Sequence, residues 1–121
     1  MRRTLVVFAI CTGVMILSAC SLLLGPQAEI ANITWDQTYY ETIQTYGLVR
    51  IDFKITNTGA FDIDYYTVTF QIKCADGSVY QEWTNGSDVR VGDTLSDYTF
   101  AATGSKRAIS VTLIDYELTS Y

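Results

Sequence analysis

Leu48-Val-Arg-Ile-Asp-Phe-Lys-Ile-Thr-Asn-Thr-Gly-Ala-Phe-Asp-Ile-Asp-Tyr-Tyr-Thr-Val-Thr-Phe-Gln-Ile-Lys-Cys74 decides the fold of this chain. In its first half Val49, Ile51, Phe53 and Ile55 alternate with Arg50, Asp52, Lys54 and Thr56. In its second half Tyr66, Val68, Phe70, Ile72 and Cys74 alternate with Tyr65, Thr67, Thr69, Gln71 and Lys73. A period of two with one apolar set marks a strand with one dry face and one wet face. The two strands are expected either to face each other or to pair, with the remainder of the domain packed on them.

Working outward, Glu29 to Trp35 carries Ile30 and Ile33 and reads as a first strand, while Asp36 to Tyr46 fits a loop or a short edge strand equally well. Thr56-Asn57-Thr58-Gly59 supplies residues that tolerate the positive φ of a sharp reversal. Asp76-Gly77 is a hairpin signal, and Val79 to Thr84 is its return strand. Asn85-Gly86 and Gly92-Asp93 mark further turns that bracket Val89 to Val91. Leu95 to Ala102 alternates, Gly104 to Arg107 is a loop, and Ala108 to Tyr116 is a last strand with Ile109, Val111 and Leu113 facing inward. Six to eight short strands with turns between them require a second sheet to cover each dry face. The predicted fold is an all-β, immunoglobulin-like antiparallel β-sandwich over 28–121, behind a helical signal segment at 1–19 and a tether at 20–27.

The sequence has no histidine and three cysteines, with 8 basic against 13 acidic side chains. Lack of histidine removes the commonest general base, the commonest metal ligand and the usual nucleophile triads. The acidic balance argues against nucleic acid, since no basic face is available to neutralise phosphates. It equally disfavours adhesion to anionic headgroups, so attachment to a membrane needs another device. Cys11 lies in the apolar N-terminal run and Cys20 at its end, which leaves Cys74 unpaired in a mature chain. On the apolar face of its strand, Cys74 reads as a small buried hydrophobe.

The N-terminus supplies that device. Arg2 and Arg3 precede an uncharged run of 14 residues, Thr4 to Leu17, and Leu17-Ser18-Ala19-Cys20 follows. The layout is that of a secretory signal, and the last four residues resemble the lipobox of bacterial lipoproteins. The resemblance implies cleavage between Ala19 and Cys20, a diacylglyceryl thioether on Cys20, and palmitate-type acyl chains as the only added group, with no cofactor. Two or three chains give a stable anchor where one gives marginal binding. An uncleaved signal anchor is the competing reading, because the 21 residues from Thr4 to Leu24 carry no charge. Ser21 in second position implies, for a double-membrane bacterium, transfer to the outer membrane.

A second resemblance spans about residues 48 to 101. Ile51-Asp-Phe-Lys-Ile-Thr-Asn57-Thr-Gly59, Val68-Thr-Phe-Gln-Ile-Lys-Cys-Ala-Asp76-Gly77 and Val91-Gly92-Asp-Thr-Leu-Ser-Asp-Tyr98-Thr-Phe100 resemble the FxLYD family, small immunoglobulin-like domains of bacterial surface proteins. These motifs are turns and strand ends, so they imply a fold and carry no active site.

Three sets of residues are candidate sites. Trp35, Tyr39 and Tyr40 form a possible binding patch, because exposed aromatics stack on sugars or fill partner pockets; Trp83 is expected to pack inward. Asp62, Asp64, Asp88 and Asp93 are loop carboxylates of the type that hold calcium, although their spacing matches no known loop, so no metal is assigned. Asn32-Ile-Thr34 and Asn85-Gly-Ser87 match the glycosylation sequon, a frequent chance pattern. The expectation is a non-enzymatic, lipid-anchored, extracytoplasmic binding or scaffold module whose partner is another envelope protein or polymer. The alternatives are a calcium- or carbohydrate-binding surface module and a small hydrolase using two carboxylates about 5 to 9.5 Å apart in a cleft.

Overall fold

β2 (Thr45–Asn57) and β3 (Ile63–Cys74) form over the two alternating segments, and each is the central strand of its own sheet. They face each other and do not pair. A computed structural model describes residues 25–121. The expected signal segment, Ala19, Cys20 and most of the tether lie outside the described residues. The other strands are β1 (Ala28–Tyr40), β4 (Val79–Val89), β5 (Thr94–Ala101) and β6 (Ala108–Thr119). They build two antiparallel three-stranded sheets, β1-β2-β5 and β4-β3-β6. The same division sets strands A, B and E against C and F in immunoglobulin-like sandwiches.

The dry faces of β2 and β3 are the middle of the core. Val49, Ile51, Phe53 and Ile55 on one side, and Tyr66, Val68, Phe70, Ile72 and Cys74 on the other, are all buried. Phe53 and Phe70 meet across the sandwich with ring centroids 5.4 Å apart. Burial raises the pKa of the Cys74 thiol, which keeps it protonated and unreactive.

Irregularities in the outer strands keep apolar residues inward where simple alternation fails. Ile30 and Ile33 are three apart, so a regular strand would point them to opposite faces; both are buried because Asn32 takes φ 54° and inserts a bulge opposite β2. The region Asp36 to Tyr46 resolves into the end of β1, a turn, and the start of β2. In β6 the expected inner residue Ile109 is 43% exposed, because it is the extra residue of a bulge that puts Ala108 opposite Cys74. A second shift beside Ile114 turns Tyr116 and Leu118 toward the core in place of Asp115 and Glu117.

The two Asn-Gly signals act differently from the expectation. Neither Asn57 nor Gly59 has positive φ. Asn57 is instead buried, its Nδ2 donating to the carbonyls of Phe61 (2.8 Å) and Val89 (2.9 Å) while Oδ1 accepts from the Gly59 amide (3.0 Å). One side chain thus closes the loop after β2 and fastens it to the end of β4. Asn85-Gly86 makes no turn, because β4 runs through it in unbroken pairing with β3, and Val89 belongs to the same strand. Gly86 stands opposite Tyr66, whose ring lies over it and reaches the other sheet to donate a 2.5 Å hydrogen bond to Asp97 Oδ2. Desolvation, and then the Asp97 carboxylate, push the Tyr66 phenol pKa well up. A Cβ on Gly86 would fall 2.6 Å from Tyr66 Cε2. Gly86→Ala is therefore expected to displace the ring and cost about 1–3 kcal/mol, read by urea denaturation; a Tyr66→Leu background should remove most of that cost. Asp76-Gly77 and Gly92, by contrast, form turns with positive φ at both glycines, as expected.

All four edge strands lie open at the sides of the sandwich, and three are blunted. β1 and β6 are bulged, and on β5 the Asp97 carboxylate takes the Tyr98 amide at 2.8 Å. The pairing of β4 with β3 contains no shift.

Candidate binding surface

β1 fixes the geometry of the candidate site. It begins at Ala28, beside the point where the chain enters from residues 1–24, and ends at Tyr40; thirteen extended residues cover about 40 Å. Tyr39 (45% exposed), Tyr40 (50%) and Ile43 (69%) therefore lie at the end of the sandwich away from Gly25, where the described residues begin. β5 pairs with β2 only from Thr56 to Val49, so the tip of the β1–β2 hairpin projects past it.

The tip is held by specific contacts. The Tyr39 and Tyr46 rings stand 4.7 Å apart, and the Tyr40 ring occupies the space that a side chain at position 47 would need. Gln37 bolts the hairpin to the β5–β6 loop: Nε2 donates to the carbonyls of Gly47 (3.0 Å) and Lys106 (2.9 Å), and Oε1 accepts from the Ala108 amide (2.8 Å). Thr103, buried, closes the same loop by donating to Lys106 O at 2.6 Å. Nearby, the Asp76 carboxylate is lowered to about 2, first by the Ser78 amide and hydroxyl and then by Lys106, 3.2 Å away. The Asp76 and Lys106 charges thus neutralise each other, while Tyr39, Tyr40 and Ile43 stand exposed at the tip.

Below the tip, on the outer face of the β1-β2-β5 sheet, a second group adjoins. Arg50 and Phe100 are directly opposed, and Leu48 (53% exposed) is the diagonal neighbour of Phe100. The Arg50 guanidinium lies 4.2 Å from the centre of the Tyr98 ring and 5.8 Å from that of Phe100. Asp52 grips it from the other side with contacts of 3.1 and 3.2 Å, which raises its pKa further. Tyr and Arg in fixed poses are the residue types that dominate binding surfaces, because they lose little rotamer freedom on association.

The predicted patch is thus redrawn. Tyr39 and Tyr40 are exposed together, whereas Trp35 faces Ile51 and packs against the core. Leu48, Arg50, Tyr98 and Phe100 were missed, although the alternation that buries Val49 and Ile51 already places Leu48 and Arg50 on the wet face. Trp83 is also corrected: it is 58% exposed on the outer face of β4, because Tyr66 from the neighbouring strand occupies the inner side of that edge. The four aspartates do not converge. Asp62 accepts from the Val91 amide and pairs with Arg90 at 3.9 Å, and Asp64 accepts from the Tyr121 amide. Among the described residues no cluster of three or more metal-ligating side chains occurs. A depression of about 240 Å³ is lined by Gly25, Pro26, Phe61, Ser120 and Tyr121, with no carboxylate side chain among them. Compared with protein families, curated proteins and solved structures, the chain has no match in any of the three.

Proposed function

We propose that this protein is a lipid-anchored module of a bacterial cell envelope that performs no catalysis and holds a binding surface away from the membrane on an immunoglobulin-like sandwich. The observation that carries this reading is the direction of β1, which separates the point of N-terminal entry at Gly25 from the exposed Tyr39, Tyr40 and Ile43 by the length of the domain. Attachment through Cys20 rests on the lipobox resemblance of Leu17-Ser18-Ala19-Cys20, with the outer membrane as destination where two membranes exist. The FxLYD resemblance of residues 48 to 101 agrees with a surface-domain role. The partner is another envelope protein or polymer, met through aromatic stacking and the clamped Arg50 guanidinium.

Two measurements in living cells test the reading. Palmitate label should enter the wild type and be lost in Cys20→Ser; label retained in that variant defeats the anchor. A photo-crosslinking residue at position 40 should give a discrete adduct, and one at Thr58, near the attached end, should give none. Equal adducts at both positions, or none at either, defeat the hairpin as the contact surface.

A further inference from the structure

The outer face of the β4-β3-β6 sheet is a different surface, on the opposite side of the molecule from Arg50 and Tyr98. Trp83 stands on its edge strand β4, midway along the pairing with β3 and opposite Thr69, with 58% of its surface exposed. The ribbon beneath the indole is regular: β3 and β4 pair without a shift from Tyr65↔Ser87 to Lys73↔Val79. Gln81 and Gln71 occupy the outward row on one side of Trp83, and Asn85 and Thr67 the row on the other. Two rows away from Trp83, Tyr65 presents a second ring, 41% exposed.

Among the described residues, the amides of Gln71, Gln81 and Asn85 have no side-chain hydrogen-bond partner, so their donors and acceptors are presented to the outside. Charge narrows the ligand. Lys73, at the end of the ribbon, is the one basic residue among these rows, while β6 adds Asp115 opposite Thr69 and Glu117 opposite Thr67. Polyanions are repelled by such a face. A protein interface of ordinary size needs a desolvated apolar centre, and amides and hydroxyls surround this indole instead. What fits is a molecule that is apolar on its flat faces, rich in hydroxyls at its edges and uncharged.

We infer that this face binds an uncharged polysaccharide, laid along the β3–β4 ribbon with sugar rings stacked on Trp83 and hydroxyls bonded to Gln71, Gln81 and Asn85. Extended β-linked chains match the ribbon, because their flat rings can follow a surface that neither bulges nor folds. The inference does not depend on the lipid anchor or on the hairpin surface, and its test leaves both untouched.

The full-length chain in detergent is run on native gels containing hydroxyethyl cellulose, a mixed-linkage β-glucan or glycol chitin. The wild type should be retarded by at least one of the three. Trp83→Ala should weaken that binding at least about tenfold, Trp83→Phe should keep part of it, and Gln71→Ala should weaken it less than Trp83→Ala. Thr58→Ala, an exposed loop change outside both surfaces, should migrate as wild type. The inference is overturned if the wild type runs freely in all three gels, or if Trp83→Ala is retarded as strongly as wild type. It is overturned equally if sedimentation shows a dimer that Trp83→Ala dissociates, since the face is then an interface between two copies.

Discussion

Phe70→Ala is expected to destabilise the domain by about 3–5 kcal/mol, the range for removing a fully buried aromatic ring. Phe70 has no exposed surface, sits on the central strand of its sheet, and meets Phe53 from the opposite sheet at 5.4 Å. Its loss opens a cavity in the middle of the core shared by the two layers, and neither layer can collapse into it without bending a central strand. No disulfide is available to the described residues, since Cys74 is free. Packing therefore supplies the tertiary stability, and natural domains hold only about 5–15 kcal/mol in total. Thermal unfolding followed by circular dichroism should show a fall in midpoint of roughly 12–40 °C, at about 4–8 °C per kcal/mol for a domain of this size. A fall of only a few degrees would mean that the two sheets are not held together at this contact.

The second large effect is expected from Asn57→Asp, a change of one atom group. The amide donates to two backbone carbonyls, Phe61 O and Val89 O, and accepts from Gly59 N. A carboxylate keeps the acceptor and loses both donors, and it sets a negative charge against two carbonyl oxygens in a buried position. Leaving two buried groups unsatisfied costs roughly 2–5 kcal/mol. The sign of the pH dependence follows. The new carboxyl titrates with a raised pKa in the folded state, so its ionised form is the destabilising one. Relative to wild type, the variant should recover stability as pH falls through that raised value, where the protonated acid can donate one of the lost bonds. Urea midpoints of both proteins at pH 7 and pH 4.5 measure this, and an equal deficit at the two values would contradict it.

Asn57 also illustrates what was legible in the sequence. The Asn-x-Gly spacing correctly marked a chain reversal, but its reason was not backbone conformation. It was the need for a short side chain with both a donor and an acceptor at a buried seam between β2 and β4, which only the assembled sandwich defines. The central strands were readable because their two faces differ in polarity at every step from Val49 to Ile55 and from Tyr66 to Cys74. β4 was readable as a strand from Val79 to Thr84 through its hairpin turn, but its inward face and its run on to Val89 were not, because neither of its alternate sets, Val79-Gln81-Trp83-Asn85 or Tyr80-Glu82-Thr84-Gly86, is apolar, so the period had no sign. Gly86 is present to admit a ring from another strand, a non-local cause that a dipeptide signal cannot carry. Bulges hid Ile109 for a similar reason: one extra residue shifts the phase of a strand without changing its composition. Of the candidate surface, Tyr39 and Tyr40 are exposed whereas Trp35 packs against the core, a difference that aromatic density cannot show because it says nothing about which face a ring takes.

The uneven finish of the four borders has a consequence for molecules gathered at high density, as those tethered to one bilayer would be. Three borders carry a kink or a capped amide that spoils the fit of a neighbouring chain. From Val79 to Ser87 β4 pairs in register with β3 and, among the described residues, with no strand on its other side, and it is the side on which crowded copies would begin to zip into an extended, fibre-like array.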